Sequence, residues 1–184
     1  MLKIAIDSDN VLADTTEAWV RCYNDTYNEN LKKSDLSEYH FWDTLNISRD
    51  EAFKIFTKVW TNWKALPLVE NDSCAVVNRI AKLAEVDLVS SALADMKDWI
   101  ADKDLKFNKI IYTQHKSLLD YDIFVEDSPY EALKIVDNGR VCLLYDQPWN
   151  RTIKETNMLV RIKHLSEAID LIFEYSRPIK RNHI

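Results

Sequence analysis

Two aspartates separated by one residue, Asp7 and Asp9, come directly after the first apolar run of the chain. Residues 2–6 have the pattern of a buried parallel strand, and an open α/β sheet forms its ligand crevice at the carboxyl end of such strands. Two anionic side chains turned towards one site repel each other unless they share a proton or a cation. The spacing therefore indicates a metal site, although Asp7, Asp9 and Asn10 also suit an ordinary turn.

Polar side chains follow later predicted strands in the same way. These side chains are Ser90 and Ser91, then Lys116, then Glu126 and Asp127. Because the carboxyl ends of parallel strands share one edge of a sheet, we expect them to lie beside the aspartate pair. The set suits phosphoryl transfer, in which a carboxylate attacks phosphorus, a lysine offsets charge on the phosphoryl oxygens and a hydroxyl donates to one of them. Mg²⁺ is the expected cation because it prefers carboxylate and phosphate oxygens.

The elements that would position these groups form a regular alternation of strands and helices. After the first strand, further strands are predicted at residues 86–89, 109–112, 123–125, 141–145 and 159–162. Ser128 followed by Pro129 starts one of the intervening helices, and Gly139, the single glycine of the chain, ends it. The predicted fold class is α/β, a Rossmann-like parallel sheet with helices on both faces.

Residues 15–65 are rich in aromatic residues and read as helical, with no strand pattern. Capping boxes are predicted at Asp14 with Glu17 and at Ser48 with Glu51. Two helices and a loop are more than a crossover between parallel strands needs. We therefore expect an α/β core made of residues 1–14 and 66–184, and a small helical cap made of residues 15–65. The alternative is that these helices lie flat on the sheet as ordinary crossover helices.

Composition excludes several classes of protein. At 184 residues the chain is long enough for one domain with a full hydrophobic core. Its net charge of −6 argues against a partner that is a nucleic-acid polymer or an anionic membrane. No apolar run is long enough to cross a bilayer and no signal sequence is expected, so a cytoplasmic protein is predicted. The basic tail from Arg177 is expected to be a loose end. The oligomeric state stays open, with a homodimer as one alternative.

The order of the motifs resembles that of the haloacid dehalogenase superfamily of phosphohydrolases. Within it, residues 7–14 (DSDNVLAD) are similar to the motif DxDGVLAD of the 5′(3′)-deoxyribonucleotidases. Four further stretches support this narrower resemblance, namely residues 41–42 (FW), 66–68 (LPL), 113–116 (TQHK) and 145–151 (YDQPWNR). The resemblance covers most of the chain.

The resemblance implies roles for the carboxylates and the lysine. Asp7 corresponds to the nucleophile and first metal ligand. Asp9 corresponds to the general acid and base, and its backbone carbonyl would also bind the metal. Lys116 corresponds to the lysine beside the phosphate. Asp127 corresponds to a metal-ligating carboxylate, and Glu126, which stands where the family usually has Asp, would reach the metal through water.

The resemblance also implies substrate contacts. Ser90 corresponds to the phosphate-binding hydroxyl, here Ser in place of the commoner Thr, with Ser91 next to it. Phe41 and Trp42 would stack on a nucleobase, the alternative being that both rings are core of the cap.

Two further departures from the family pattern concern the turn after the first strand and the residues before Lys116. Asn10 replaces a glycine, and Asn tolerates the left-handed conformation that such a turn needs. Gln114 and His115 replace an Arg-Asp pair, which leaves base and sugar preference open. His115 is either a substrate contact or an exposed loop residue.

Together these features predict a Mg²⁺-dependent phosphomonoesterase that hydrolyses (deoxy)nucleoside monophosphates through an aspartyl phosphate. Two alternatives remain at this point. One is a phosphatase or phosphotransferase of the same superfamily that acts on another small phosphorylated metabolite. The other is a non-catalytic domain that keeps the acidic pocket for binding, against which the presence of both Asp7 and Asp9 argues.

Overall fold

A computed structural model describes residues 1–92 and 94–176 of the chain; the basic tail predicted from Arg177 lies outside these residues. The strands are β1 (Lys3–Ile6), β2 (Glu85–Ser90), β3 (Ile110–Tyr112), β4 (Ile123–Glu126), β5 (Val141–Tyr145) and β6 (Leu159–Ile162). The helices are α1 (Thr15–Tyr27), α2 (Arg49–Thr61), α3 (Ser73–Ile80), α4 (Lys97–Asp102), α5 (Pro129–Asp137) and α6 (Glu167–Ser176). The predicted alternation of strands and helices is confirmed.

The strands of the described chain form one sheet in the order β3-β2-β1-β4-β5-β6, and every neighbouring pair is parallel. Strand β1 lies in the interior of the sheet, with Ile6 in register with Leu88 of β2 and Val125 of β4. The parallel sheet predicted from the alternation of elements is thus confirmed. Its register brings the carboxyl ends of β1, β2 and β4 to one edge.

Helix α5 begins and ends as its sequence predicts. The Ser128 hydroxyl accepts a hydrogen bond from the backbone N–H of Glu131, and Pro129 occupies the first turn. Gly139 has a φ of 73° and donates to the Val136 carbonyl, while Arg140 donates to the Ile135 carbonyl. These two bonds form a Schellman motif, which needs the left-handed conformation that glycine adopts without strain.

The two predicted capping boxes differ in outcome. Ser48 and Glu51 form both reciprocal bonds at the start of α2. At α1 the Asp14 carboxylate caps the backbone N–H of Glu17, but the Glu17 side chain pairs instead with Arg21 at 3.1 Å. The box at α1 is therefore only half formed, because the backbone N–H of Asp14 donates to the Pro67 carbonyl at 2.9 Å and Glu17 pairs with an arginine one turn later.

Residues 15–65, called the helical segment below, contain α1, α2 and three short 3₁₀ turns, without a strand. The indole of Trp19 joins the two helices by donating to the Ala52 carbonyl at 2.9 Å. Trp60 of α2 lies edge-on to Trp99 of α4, with ring centres 5.9 Å apart. The helical segment therefore shares a hydrophobic cluster with the rest of the chain. Among the described helices, none is long and apolar enough to span a membrane.

Candidate active site

The carboxyl edge of the sheet holds a buried ion-pair network. The Nζ atom of Lys116 lies 2.7 Å from Oδ1 of Asp7 and 2.9 Å from Oε2 of Glu126. Asp7 follows β1, Glu126 ends β4, and Lys116 comes after β3, so three strands supply this network. Burial alone would lower the pKa of Lys116, but Asp7 and Glu126 outweigh it and raise that pKa above its ordinary value. The lysine is thus a permanent cation beside Asp7.

Three buried carboxylates, those of Asp7, Glu126 and Asp127, each place one oxygen within 4.8 Å of the others. Burial and the neighbouring Asp7 raise the pKa of Asp127 to about 8 and raise the pKa of Glu126 well above its usual range. Raised carboxyl pKa values show that a single ammonium does not balance this much buried negative charge. The all-oxygen donor set fits a hard divalent cation.

Asp9 differs from this triad because it is half-buried, whereas the three carboxylates are buried. Its Oδ1 accepts a hydrogen bond of 3.1 Å from the indole N–H of Trp60. Desolvation within the cleft and the charge of Asp7 raise its pKa to about 7, although hydrogen bonds from Thr15 and Trp60 and the charge of Lys116 oppose the shift. A carboxyl with a pKa near neutrality can both donate and accept a proton. Sequence reasoning named Asp9 but did not predict its bond to Trp60, because nothing in the sequence of α2 indicates it.

The predicted phosphate-binding hydroxyls lie in different surroundings. Ser90 is fully buried, and its Oγ accepts hydrogen bonds from Ser8 Oγ at 2.8 Å and from the backbone N–H of Ala92 at 3.0 Å. Ser91 is exposed and lines the cavity that contains Asp7 and Asp9. Gln114 also lines the cavity and donates to the Ser91 carbonyl at 2.6 Å.

His115, the next residue along the chain, is exposed. Within the described part of the chain, it is not among the residues that line the cavity. The histidine matches the exposed loop residue that was one of its two predicted interpretations.

A cavity of about 860 Å³ opens over the carboxylates, between the sheet edge and the helical segment. Its aromatic lining from that segment comprises Tyr39, Phe41, Trp42, Phe53, Phe56 and Trp60. Phe41 is buried and packs edge-on against Trp19 with ring centres 4.7 Å apart, whereas Trp42 is half-buried. Phe41 and Trp42, which sequence reasoning treated either as base platforms or as core of the cap, pack against neighbouring rings and also line the cavity.

Two side chains after β5 and one before α1 also contact Asp127, and sequence reasoning predicted none of these contacts. Trp149 donates from Nε1 to Oδ2 of Asp127 at 3.1 Å, and Asn150 donates to the Asp127 carbonyl at 2.9 Å. Asn10 donates from Nδ2 to the same Oδ2 at 3.3 Å. Residues 149 and 150 lie in one of the stretches that carry the resemblance, residues 145–151, and this is the signal by which the sequence could have identified them.

The fold is that of the haloacid dehalogenase-like hydrolases. A hydrolase of that family from Streptococcus pneumoniae has a TM-score of 0.68 at 13% identity, over 93% of this chain and 98% of that one. A haloacid dehalogenase-like protein from Agrobacterium tumefaciens also has a TM-score of 0.68, at 12% identity, over 95% of this chain and 99% of that one. The class defined by this fold and site is a haloacid dehalogenase-like α/β protein with a buried carboxylate cluster at the sheet edge.

The sequence profile of one family within this class matches residues 1–177, and the chain belongs to that family, the 5′ nucleotidase, deoxy (Pyrimidine), cytosolic type C proteins. A 5′(3′)-deoxyribonucleotidase of Clostridium acetobutylicum is 25% identical over 90% of this chain and 91% of its own. A nucleotidase of the same organism is 23% identical over 97% and 98%. The predicted superfamily and family are confirmed, and the chain is a phosphomonoester hydrolase.

Proposed function

We propose that the protein is a Mg²⁺-dependent 5′(3′)-deoxyribonucleotidase that hydrolyses (deoxy)nucleoside monophosphates through an aspartyl phosphate. The observation that carries this proposal is the pairing of two aspartates of different character at the end of β1. Asp7 is bound to the Lys116 ammonium at 2.7 Å, whereas Asp9 has a pKa of about 7. Asp7 is held by a cation, as a nucleophile needs, and Asp9 exchanges a proton at neutral pH, as a general acid and base needs.

Asp7 is the proposed nucleophile. Its Oδ1 accepts hydrogen bonds from the Ser8 backbone N–H at 2.7 Å and from Lys116, which fixes the plane of the carboxylate. Oδ2 is then the oxygen that attacks phosphorus, with release of the nucleoside hydroxyl. Lys116 offsets the charge that builds on the phosphoryl oxygens in the transition state.

Asp9 is the proposed general acid and base. In its protonated form it donates to the leaving nucleoside oxygen, and the resulting carboxylate then takes a proton from the water that hydrolyses the aspartyl phosphate. Trp60 donates to Oδ1 of Asp9 at 3.1 Å and so restrains the carboxyl group that makes this proton transfer.

Asp7, Asp127 and Glu126 are the proposed side-chain ligands of Mg²⁺, with the Asp9 backbone carbonyl as a further ligand and Glu126 acting through water. The Mg²⁺ ion, when bound, neutralises charge on these carboxylates and on the phosphate ester. The buried oxygen triad supports this assignment, because the raised pKa values of Asp127 and Glu126 indicate a deficit of positive charge.

The phosphate-binding loop is proposed to be residues 90–92. Ser91 lines the cavity and donates to a phosphoryl oxygen, while Ser90 holds the backbone of Ala92 in place from behind. Gln114, bonded to the Ser91 carbonyl, braces the loop from the side of β3.

The helical segment is proposed to act as the cap that selects the substrate. Tyr39, Phe41 and Trp42 line the cavity and offer flat apolar faces that suit a nucleobase. Stacking on such a ring contributes about 1–3 kcal/mol per base. A phosphorylated sugar has no surface of this kind. We also propose a cytoplasmic location, in keeping with the cytosolic type of the family.

One substrate panel tests the proposal. Purified protein is assayed by phosphate release, with and without Mg²⁺, on deoxy- and ribonucleoside 5′- and 3′-monophosphates and on a matched set of sugar phosphates. We expect Mg²⁺-dependent activity and higher kcat/KM on deoxynucleoside monophosphates. Higher kcat/KM on sugar phosphates would overturn the substrate assignment, and full activity in a chelator would overturn the metal assignment.

A further inference from the structure

Asn10 occupies the turn between β1 and α1 with a φ of 59°, in the left-handed region that glycine enters most freely. The residue is nonetheless a buried asparagine, and all of its side-chain polar atoms have partners. A glycine would make the same turn without strain and would offer none of these hydrogen bonds. The side chain therefore has a use beyond the backbone conformation.

The hydrogen bonds fix which way the amide of Asn10 faces. Its Oδ1 accepts from the backbone N–H of Thr16 at 3.0 Å and from the hydroxyl of Thr15 at 3.3 Å. A backbone N–H can only donate, so the carbonyl oxygen must face helix α1. The Nδ2 group consequently faces Asp127, whose Oδ2 lies at 3.3 Å. The backbone carbonyl of Asn10 is held as well, by Nε2 of Gln147 at 2.7 Å.

Trp149 approaches Asp127 from the segment that follows β5. Its Nε1 donates to Oδ2 at 3.1 Å, the same oxygen that Asn10 contacts. Two donors from opposite ends of the chain therefore hold one oxygen of this buried carboxylate. Oδ1 is the oxygen that neither donor holds.

We propose that Asn10 and Trp149 are positioning residues that hold Oδ2 of Asp127 and so present Oδ1 to the divalent cation. This inference rests on the proposed metal assignment and concerns residues to which that assignment gives no role. Side chains that orient a metal ligand typically change metal affinity by about 10- to 100-fold when they are removed. Asn10 also ties Asp127 to the first turn of α1.

The test measures Mg²⁺ binding directly, by isothermal titration in the absence of substrate. Asn10→Gly keeps the backbone conformation and removes the donor, and Trp149→Phe keeps an aromatic ring and removes the N–H. We expect each variant to raise the Kd for Mg²⁺ by roughly 10-fold or more. At saturating Mg²⁺, hydrolysis of p-nitrophenyl phosphate by either variant should return towards the wild-type rate.

Asn28→Gly is the matched control. Asn28 also has a positive φ, 54°, but it is exposed and ends α1, about 20 Å along the helix from its first residue, Thr15. This variant separates the general effect of an Asn→Gly exchange from the loss of the bond to Asp127, and its Kd for Mg²⁺ should stay at the wild-type value. Circular dichroism establishes whether each variant is folded. If Asn10→Gly is unfolded, the Kd of Trp149→Phe for Mg²⁺ tests the inference.

A wild-type Kd for Mg²⁺ in both folded site variants would overturn the inference. A wild-type protein that binds no Mg²⁺ would overturn it together with the metal assignment. Mg²⁺ binding that weakens as expected, in a protein that prefers substrates other than nucleotides, would support the inference and overturn only the substrate part of the proposed function.

Discussion

The indole N–H of Trp60 donates to Oδ1 of Asp9 at 3.1 Å, and this bond joins helix α2 to the turn that follows β1. A donor to a carboxylate stabilises its ionised form, so this bond opposes the desolvation that raises the pKa of Asp9 to about 7. The helical segment thereby contributes to the protonation state of Asp9 as well as to the shape of the cavity.

Trp60→Phe should raise the pKa of Asp9 further, because it removes a hydrogen bond that favours the carboxylate. The proposed acid step needs protonated Asp9, so kcat falls as pH rises through that pKa. The descending limb of the pH profile of kcat, measured with a nucleoside monophosphate, should therefore move to higher pH in this variant. A limb that stays in place, or moves to lower pH, would contradict the assignment of the limb to Asp9.

Asp7→Asn should abolish most of the activity while the protein remains folded. The amide is not a nucleophile, and loss of a catalytic nucleophile typically lowers kcat by about 10³-fold or more. Lys116 keeps its contact with Glu126, and one of the crowded carboxylates is gone, so the fold should survive. Phosphate release measures the loss of activity, and circular dichroism shows whether the variant is folded. Turnover close to the wild-type rate would exclude the covalent mechanism.

Asp9→Asn should show a loss that depends on the leaving group. The amide cannot protonate an alkoxide, so hydrolysis of alkyl phosphates such as nucleotides should fall sharply. Nitrophenolate needs little protonation, so p-nitrophenyl phosphate should be affected much less. The measurement is kcat on both substrates for the variant and the wild type. Equal losses on the two substrates would show that Asp9 is not the general acid.

Mg²⁺ should stabilise the protein more at pH 8 than at pH 5.5. The pKa of Asp127 is raised from 3.8 to about 8 in the folded metal-free protein, so between these values the folded state binds more protons than the unfolded state. The free energy of unfolding of the metal-free protein therefore falls as pH rises across this window. Mg²⁺ binds the ionised carboxylate and competes with the proton at low pH.

At pH 8 and a Mg²⁺ concentration roughly 100 times Kd, the gain of about 2.7 kcal/mol should raise Tm by roughly 5–10 °C. Thermal melts with and without Mg²⁺ at the two pH values measure this difference. Asp127→Asn, which removes the titrating group and a proposed ligand, should lose most of the shift at pH 8. Equal shifts for the wild type at both pH values would contradict the linkage.

Trp42→Ala should weaken hydrolysis of deoxynucleoside monophosphates and spare p-nitrophenyl phosphate, which makes little use of the helical segment. Loss of a stacking ring worth about 1–3 kcal/mol corresponds to roughly 5- to 150-fold in kcat/KM. Trp42 also packs edge-on against Phe41 and Phe53, so circular dichroism must show that the variant is folded. Proportional losses on both substrates would make Trp42 a structural residue.

Sequence alone determined the layout of the sheet edge. The alternation of apolar runs and capped helices predicts parallel strands, and parallel strands necessarily bring Asp7, Lys116 and Asp127 to one edge. Local chemistry also determined where α5 begins and ends, since a cap, a proline and a glycine act through bonds between near neighbours. Nothing in these predictions required knowledge of contacts between distant parts of the chain.

Only the tertiary structure decided how the groups at that edge are held. The bond from Trp60 to Asp9 spans 51 residues, and those from Asn10 and Trp149 to Asp127 span 117 and 22. In the sequence, a tryptophan in an apolar stripe and an asparagine in a turn are fully explained by packing and by backbone conformation. Folding buries the carboxylates and removes the water that would otherwise solvate them. Donors from the protein must replace that water, and the N–H groups of Trp60, Asn10 and Trp149 do so.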